Sequence, residues 1–557
     1  MPASRSVIRR LLSAPADAAG GRIAIAGVAG VLLTAPLSLQ ESVAPHPLVS
    51  WLLTCCGAVL AVMCLRLSWT PRVIVARGAV VVCIVFCAVS GILGISQTVG
   101  ALQRSDQQLL CNDDVAPDTV VGAREVIHGV DPYTSFNLLQ AERTLGCPSY
   151  SVTPLRTGVF ASLVAPPTAA QIEPAAEAAA LGHPIGGLLV GFNYPAGTAL
   201  LGVLGGHGLV LVSPLALLIA GLVIARRAEP STRRVTILAL GAQAGLLAVV
   251  GNARVDLLVA ALLMVAVSRR RGLAMGIALG LACAVKQTAW FIAPALLVLA
   301  LREGRVRDPR YQLGALLAFA AVNLPFIIAG PSAWITGVIA PQIQPEFPLG
   351  FGPGAAGQAG SGVVTAFAIL MIVAVVAGVA ICAVAPRRWA PAGVIVSSLG
   401  LWIGPRSLGY YVALLGVIAV STVIGSNLTR SAPRGAPVPA GPDRSLLHVA
   451  PDAVVLLTVL ALVERARLRL GHARRHGMAA GELVGAPVDV TVSLVAGQQT
   501  ERPRALLDDL LEIRAAAAAW SRRRRLALRL WPAARRRRWF CSHRPLECRT
   551  PYGASID

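Results

Sequence analysis

The chain has 557 residues, 55% hydrophobic and only 14% charged, with a formal net charge of +22. A soluble domain carries about 25% charged residues, so the composition excludes a soluble globular protein. The apolar residues run in blocks rather than alternating, which excludes a transmembrane β-barrel.

In chain order, Arg5, Arg9 and Arg10 precede a first apolar run, for which a cleaved signal peptide is the competing reading. A bilayer crossing needs about 20 apolar residues as a helix. On that basis twelve spans are predicted, near 23–39, 50–67, 78–98, 206–225, 234–251, 255–268, 272–285, 288–301, 312–330, 362–384, 391–404 and 408–425. The expected fold is an all-α polytopic membrane protein, a bundle of about twelve helices with a large outer loop. Its expected organisation is an N-terminal segment 1–77 with two spans, a core 78–425 with an outer loop 99–205, a linker 426–446 and a basic tail 447–557.

The positive-inside rule orients these spans. Arginine clusters at 66–77, 226–234, 269–271, 302–310 and 387–388 fall on one side, while the short loops opposite hold only Arg254, Lys286 and Arg406. That side is therefore cytoplasmic, and loop 99–205 and a Pro/Gly-rich loop near 331–361 lie outside. The expected location is the plasma membrane, as a multi-pass protein. Arginine blocks 522–525 and 535–538 in the tail read as contacts to anionic lipid headgroups, and no nucleic acid is expected as a partner.

The loop after the third span reads Cys111-Asn112-Asp113-Asp114, then Asp118, then Gly122 through Asp131-Pro132-Tyr133. Acids pinned just outside a bilayer mark a place for chemistry, because the lipid core excludes charge. Cys111 and Cys147 bracket this loop, and an outer location permits a disulfide between them. Asp131-Pro132 favours a turn and Tyr133 an interfacial anchor, so a structural role comes first for both. Tyr194-Pro195 marks a short helix or bend before the fourth span. The spans hold almost no ionisable residue at mid-depth and no internal repeat relates two halves. Both absences weigh against an ion-coupled transporter. Polar groups instead collect at the outer ends of spans, among them Arg254 with Asp256, Lys286 (the one lysine of the chain) and Arg406.

The run from Gly122 to Tyr133, the later Phe192-Asn193-Tyr194-Pro195, and Gly276 through Gly280 to Lys286-Gln287-Thr288 together resemble the GT-C superfamily of membrane glycosyltransferases. Within it, the chain looks like the actinobacterial polyprenyl-phosphate-mannose-dependent mannosyltransferases of glycosyltransferase family 87. The resemblance covers about residues 78–425. It implies a lipid-linked sugar donor and an acidic catalytic residue in the first large outer loop. Asp114 fits that position best, Asp113 next, and Asp118 is the outsider. The chain departs from the pattern in its two additional N-terminal spans, its double acid, and Lys286-Gln287-Thr288-Ala289 where many relatives carry a proline.

The chemistry agrees with that expectation. Transfer of a sugar to a hydroxyl needs a general base while the sugar–phosphate bond breaks. The growing charge on the departing polyprenyl phosphate calls for a cation near the headgroup plane. Lys286, Arg254 and Arg406 are the expected donor-phosphate ligands, and Asp131, Tyr133 and Tyr194 are substrate-binding or structural. The scheme needs no metal or cofactor. Its partners are a polyprenyl-phosphate sugar donor, a lipid or glycan acceptor of the cell envelope, and the membrane. A lipid or glycan transporter is the alternative.

Overall fold

A computed structural model describes residues 18–40, 47–66, 68–111, 114–183, 185–243, 246, 250–303, 309–350, 352–356 and 361–430. Asp113, the three N-terminal arginines, most of the expected linker and the whole basic tail lie outside the described residues. The structure is 76% helical.

Three helices open the described chain: α1 (Ala18–Gln40), α2 (Pro47–Cys64) and α3 (Val73–Leu102). The stretch read from the sequence as the outer loop, called the first outer loop on that expectation, folds into short helices, α4 (Asp106–Leu110), α5 (Val115–Ile127), α6 (Pro132–Ser135), α7 (Leu138–Leu145), α8 (Ala169–Ala180) and α9 (Ala196–Leu201). Then come α10 (Gly205–Arg227), α11 (Pro230–Gly241), α12 (Asp256–Ser268), α13 (Leu273–Val285), α14 (Ala293–Glu303) and α15 (Arg310–Ala329). The Pro/Gly-rich loop near 331–361, called the second outer loop on the same expectation, holds α16 (Pro331–Val338) and α17 (Pro353–Ala356), and α18 (Ser361–Val384), α19 (Ala392–Ile403) and α20 (Gly409–Arg430) close the bundle.

A helix falls on each of the twelve expected apolar runs. Among the described residues, five segments are long and apolar enough to cross a membrane: α3, the combined 196–227, α15, 362–384 within α18, and 409–428 within α20. Burial separates their roles. Only 17% of the most apolar stretch of α3 and 11% of that of α18 is buried against protein, so these helices present apolar surface outward. By contrast, 83% of that stretch of α20 is buried, which makes it the central post.

Element ends differ from the sequence expectation where local chemistry intervenes. Helix α3 continues to Leu102, past the expected start of the outer loop at 99, and α20 continues to Arg430, past the expected linker start at 426. Helix α14 begins at Ala293 rather than near 288, because Gln287–Phe291 forms a tight 3-10 turn instead. Helix α1 packs on α2, α3, α11 and α20, so the N-terminal spans share one core with the rest.

The Gly276-x-x-x-Gly280 pattern on α13 is a helix seam. A side chain at either glycine would overlap the Tyr311 or Ala315 carbonyl of α15, and one at Gly314 would overlap the Leu273 carbonyl in return. Small residues that let two backbones touch are the means by which helices associate where lipid removes the hydrophobic drive.

Two short strand pairs organise the loop end. Strands β1 (Thr153–Pro154) and β2 (Leu188–Leu189) pair antiparallel inside the first outer loop. Strands β3 (Leu349–Gly350) and β4 (Arg406–Ser407) pair parallel and join the second outer loop to the turn before α20. A β-bridge from Leu155 to Glu346 and the Arg156 N–H donating to the Pro345 carbonyl at 2.6 Å link the two loops.

Candidate functional site

The site is built around the start of α5. Asp114 precedes that helix and makes no side-chain capping hydrogen bond. Asp118, one turn later, is fully buried. Residues four apart share a helix face, so both carboxylates point to the same side. Negative charge in a first helical turn is favoured by the helix dipole. Just upstream, Cys111 is joined to Cys147 by a disulfide, which ties the approach to α5 to the end of α7. On α7, the buried Glu142 accepts from the Ser151 amide with both oxygens, at 3.1 and 3.2 Å.

Helix α9 is wedged between α5 and α13, and glycines make the wedge fit. A Cβ at Gly197 would lie 2.6 Å from the Ala284 carbonyl oxygen, and one at Gly202 would overlap the Thr119 carbonyl. The Thr198 hydroxyl donates to the Val285 carbonyl. The Gln287 amide donates to the Asn193 carbonyl at 2.5 Å, and the Ala196 N–H donates to Asn323 Oδ1 at 3.0 Å. The Tyr133 hydroxyl donates to the Tyr194 carbonyl at 2.8 Å, and its ring meets Phe192 edge-on at 5.2 Å. Tyr194 is thus pinned from three sides. Tyr133 is part of its support, and Asp131 accepts from the Tyr133 amide to cap α6.

Tyr194 faces the ammonium of Lys286 at 5.3 Å, and Tyr410 faces it from α20 at 4.3 Å. Lys286 ends α13 and is 1% exposed. Its Nζ lies 2.7 and 2.8 Å from the two oxygens of Asp256, in the first turn of α12, whose side chain is 2% exposed. A loop cation available to phosphate was the sequence expectation. The structure places its ammonium in a buried pair with Asp256 between neighbouring helix ends. Arg254 stacks its guanidinium on the other occupant of this corner, Tyr410, at 4.9 Å, and Tyr411 packs edge-on against Tyr410 at 4.6 Å.

Arg406 sits in β4. Its Nη1 lies 3.4 Å from Glu346 Oε1 and donates to Thr153 Oγ1 at 3.1 Å, so it touches both outer loops. Burial pushes the Glu346 carboxyl above its ordinary value, Arg406 opposes that, and Asp114 adds to it by like-charge repulsion. Burial works against the charge on Arg406, but Glu346, nearby phenols and Asp114 outweigh it and hold its pKa above the ordinary value. The Tyr194 phenol is pushed well up, by burial first and by Asp114 next. It stays neutral and can donate a hydrogen bond. The carboxylate of Asp114 therefore acts electrostatically on Glu346, Arg406 and Tyr194, which come from three distant parts of the chain.

Of the residues singled out in the sequence, Asp114, Tyr194 and Arg406 form this electrostatic group, and Tyr410 links Lys286 with Arg254 beside it. Asp131 lies apart, near Glu125, whose carboxyl is raised mainly by burial. Glu346, Tyr410 and the pairing role of Asp256 were not singled out. Tyr410 had one signal, its place four residues after Arg406; Glu346 had none beyond being a lone acid in a proline-rich loop. Among the described residues, no group of three or more His, Cys, Asp and Glu side chains could hold a metal ion. Comparison with protein-family models, curated proteins and solved structures returned no match to this chain.

Proposed function

We propose that the chain is an integral-membrane glycosyltransferase of about twelve spans in the plasma membrane. In this reading it moves a sugar, mannose in the first instance, from a polyprenyl-phosphate donor to a cell-envelope lipid or glycan at the outer face. What supports it is an acid at the start of α5, Asp114, whose charge helps hold the Arg406 guanidinium above its ordinary value, in an otherwise apolar helical bundle. A general base beside a cation is the pairing that this transfer needs.

Asp114 takes the proton from the acceptor hydroxyl as that oxygen attacks the anomeric carbon. One displacement inverts that carbon, and the phosphate leaves toward Arg406, with Arg254 behind it. Asp113 is the second candidate base. Lys286, balanced by Asp256, holds the frame on which Tyr194 and Tyr410 stand. The basic tail contacts anionic lipids.

A second reading, a lipid or glycan transporter, draws on one observation, the Lys286–Asp256 pair buried between helices. One assay separates the two. Purified protein in lipid nanodiscs is given a polyprenyl-phosphate sugar and native lipid acceptors. Released polyprenyl phosphate with a glycosylated, anomerically inverted product supports transfer. An intact donor that only changes leaflet in liposomes supports transport.

A further inference from the structure

Two arginine–carboxylate pairs in this protein are built differently. Arg270, after α12, is 0% exposed and makes a two-pronged contact with Glu303, Nε to Oε2 at 2.7 Å and Nη2 to Oε1 at 2.8 Å. Its Nη1 donates to the Val267 carbonyl at 2.9 Å. That is the fork geometry of a permanent pair. Arg406 makes one long contact to Glu346, at 3.4 Å, and one to a threonine hydroxyl. Its buried Nε has no hydrogen-bond partner among the described residues. A buried N–H left unpaired is destabilising, so this guanidinium has room for a second oxygen acceptor.

Glu346 is equally poorly seated. Its carboxylate shares its surroundings with Asp114, a like charge. Its backbone is held independently of this side chain, by the Leu155 bridge, by the Arg156 N–H to the Pro345 carbonyl, by the buried Phe347 ring and by β3 against β4, so the carboxylate can leave without the loop. A group with three acceptor oxygens and a negative charge would satisfy Arg406 better than one distant carboxylate oxygen does. Phosphate is that group, since a guanidinium fork matches it with two parallel hydrogen bonds.

We propose that Glu346 is a displaceable counter-ion on a phosphate site centred on Arg406, so that a phosphate group enters by expelling this carboxylate from the guanidinium. The proposal rests on the glycosyl-transfer reading for the source of that phosphate. Glu346 then sets donor affinity: it keeps Arg406 charged and buried between turnovers and competes with the ligand while doing so. It is a positioning residue and touches no reacting atom.

The test is isothermal titration of the full-length protein in nanodiscs with two probes, farnesyl phosphate and inorganic phosphate. Glu346→Gln removes the competing charge and keeps the shape. The expected result is farnesyl phosphate binding about tenfold tighter than wild type, equivalent to about 1.4 kcal/mol, with binding lost in Arg406→Gln. Simple structural damage does not tighten binding, so the gain separates competition from scaffolding. Tightening for farnesyl phosphate alone identifies a lipid-borne phosphate. Tightening for both probes identifies the phosphate group itself, free or lipid-borne. Unchanged or weaker binding of both probes overturns the proposal. If Glu346→Gln fails to fold, Glu346→Ala, which also removes the competing charge, is judged by the same criterion. Sugar transfer is scored separately on the same preparations. Tightening without any transfer by wild type overturns the glycosyl-transfer reading and leaves the phosphate site standing.

Discussion

Lys286→Met is the substitution with the clearest structural consequence. It removes a cation that lies 2.7 Å from Asp256 with both side chains at most 2% exposed, and it leaves the carboxylate behind, buried. Breaking one half of a buried pair costs about 3–5 kcal/mol, whereas replacing both halves by apolar groups of like volume is often neutral. The methionine also forfeits the ammonium contacts with the Tyr194 and Tyr410 rings, worth about 0.5–2 kcal/mol when desolvated. The single variant is therefore expected to lose about 4 kcal/mol or more. The double variant Lys286→Met/Asp256→Leu is expected to recover most of that loss. It is also expected to keep sugar transfer within about tenfold of wild type, a cost of about 1.4 kcal/mol in the barrier. Equilibrium unfolding of the detergent-solubilised protein measures the first part, and transfer in nanodiscs the second. Equal destabilisation in single and double variants would refute the buried-pair argument. Full stability with no transfer in the double variant would return Lys286 to the role of phosphate ligand.

Three further outcomes are expected. Gly202→Ala forces a methyl group into the Thr119 carbonyl and displaces the start of α5 from α9; overpacking of this kind costs about 1–3 kcal/mol, read as a lower unfolding midpoint together with reduced transfer. Replacing both Cys111 and Cys147 by serine opens a cross-link spanning 36 positions. The chain-entropy model gives at most about 4 kcal/mol for a loop of this size, to be read as faster proteolysis within the first outer loop while the bundle stays intact. Tyr133→Phe deletes the hydrogen bond to the Tyr194 carbonyl; a loss of about 1 kcal/mol in stability is expected, with transfer preserved, and an abolished activity would move Tyr133 from support to substrate contact.

Hydropathy made the helices legible, since each of the twelve apolar runs overlaps one, although α11 ends at Gly241, inside the run 234–251, and five segments among the described residues reach membrane-crossing length. Their exact ends were less so, because the 3-10 turn at Gln287–Phe291 depends on Gln287 reaching back to Asn193, a contact 94 positions away. The same limit governs the charges. Asp256 and Lys286 each read as an outer-turn residue in the sequence, and only the antiparallel approach of α12 and α13 makes them one buried pair. Arg270 read as one of a cytoplasmic trio, yet Glu303 draws it fully inside. Asp118 ranked behind Asp114 and Asp113 by its place relative to Asp131-Pro132-Tyr133; the helix over 115–127 places it one turn after Asp114 and buries it. Asp114 itself, the cysteines around it and Tyr194-Pro195 were legible because local composition marks them. Glu346 was not, because only the folding of the second outer loop onto β4 brings it to Arg406.

The most direct test of the central claim is sugar transfer in membranes containing wild-type or Asp114→Ala protein, with radiolabelled polyprenyl-phosphate mannose as donor and native lipids as acceptors. The account predicts labelled product with wild type and a loss of at least about 100-fold in the variant, the scale of a missing general base, at equal protein levels. Full product formation by Asp114→Ala, and by the variant lacking both Asp113 and Asp114, would contradict it.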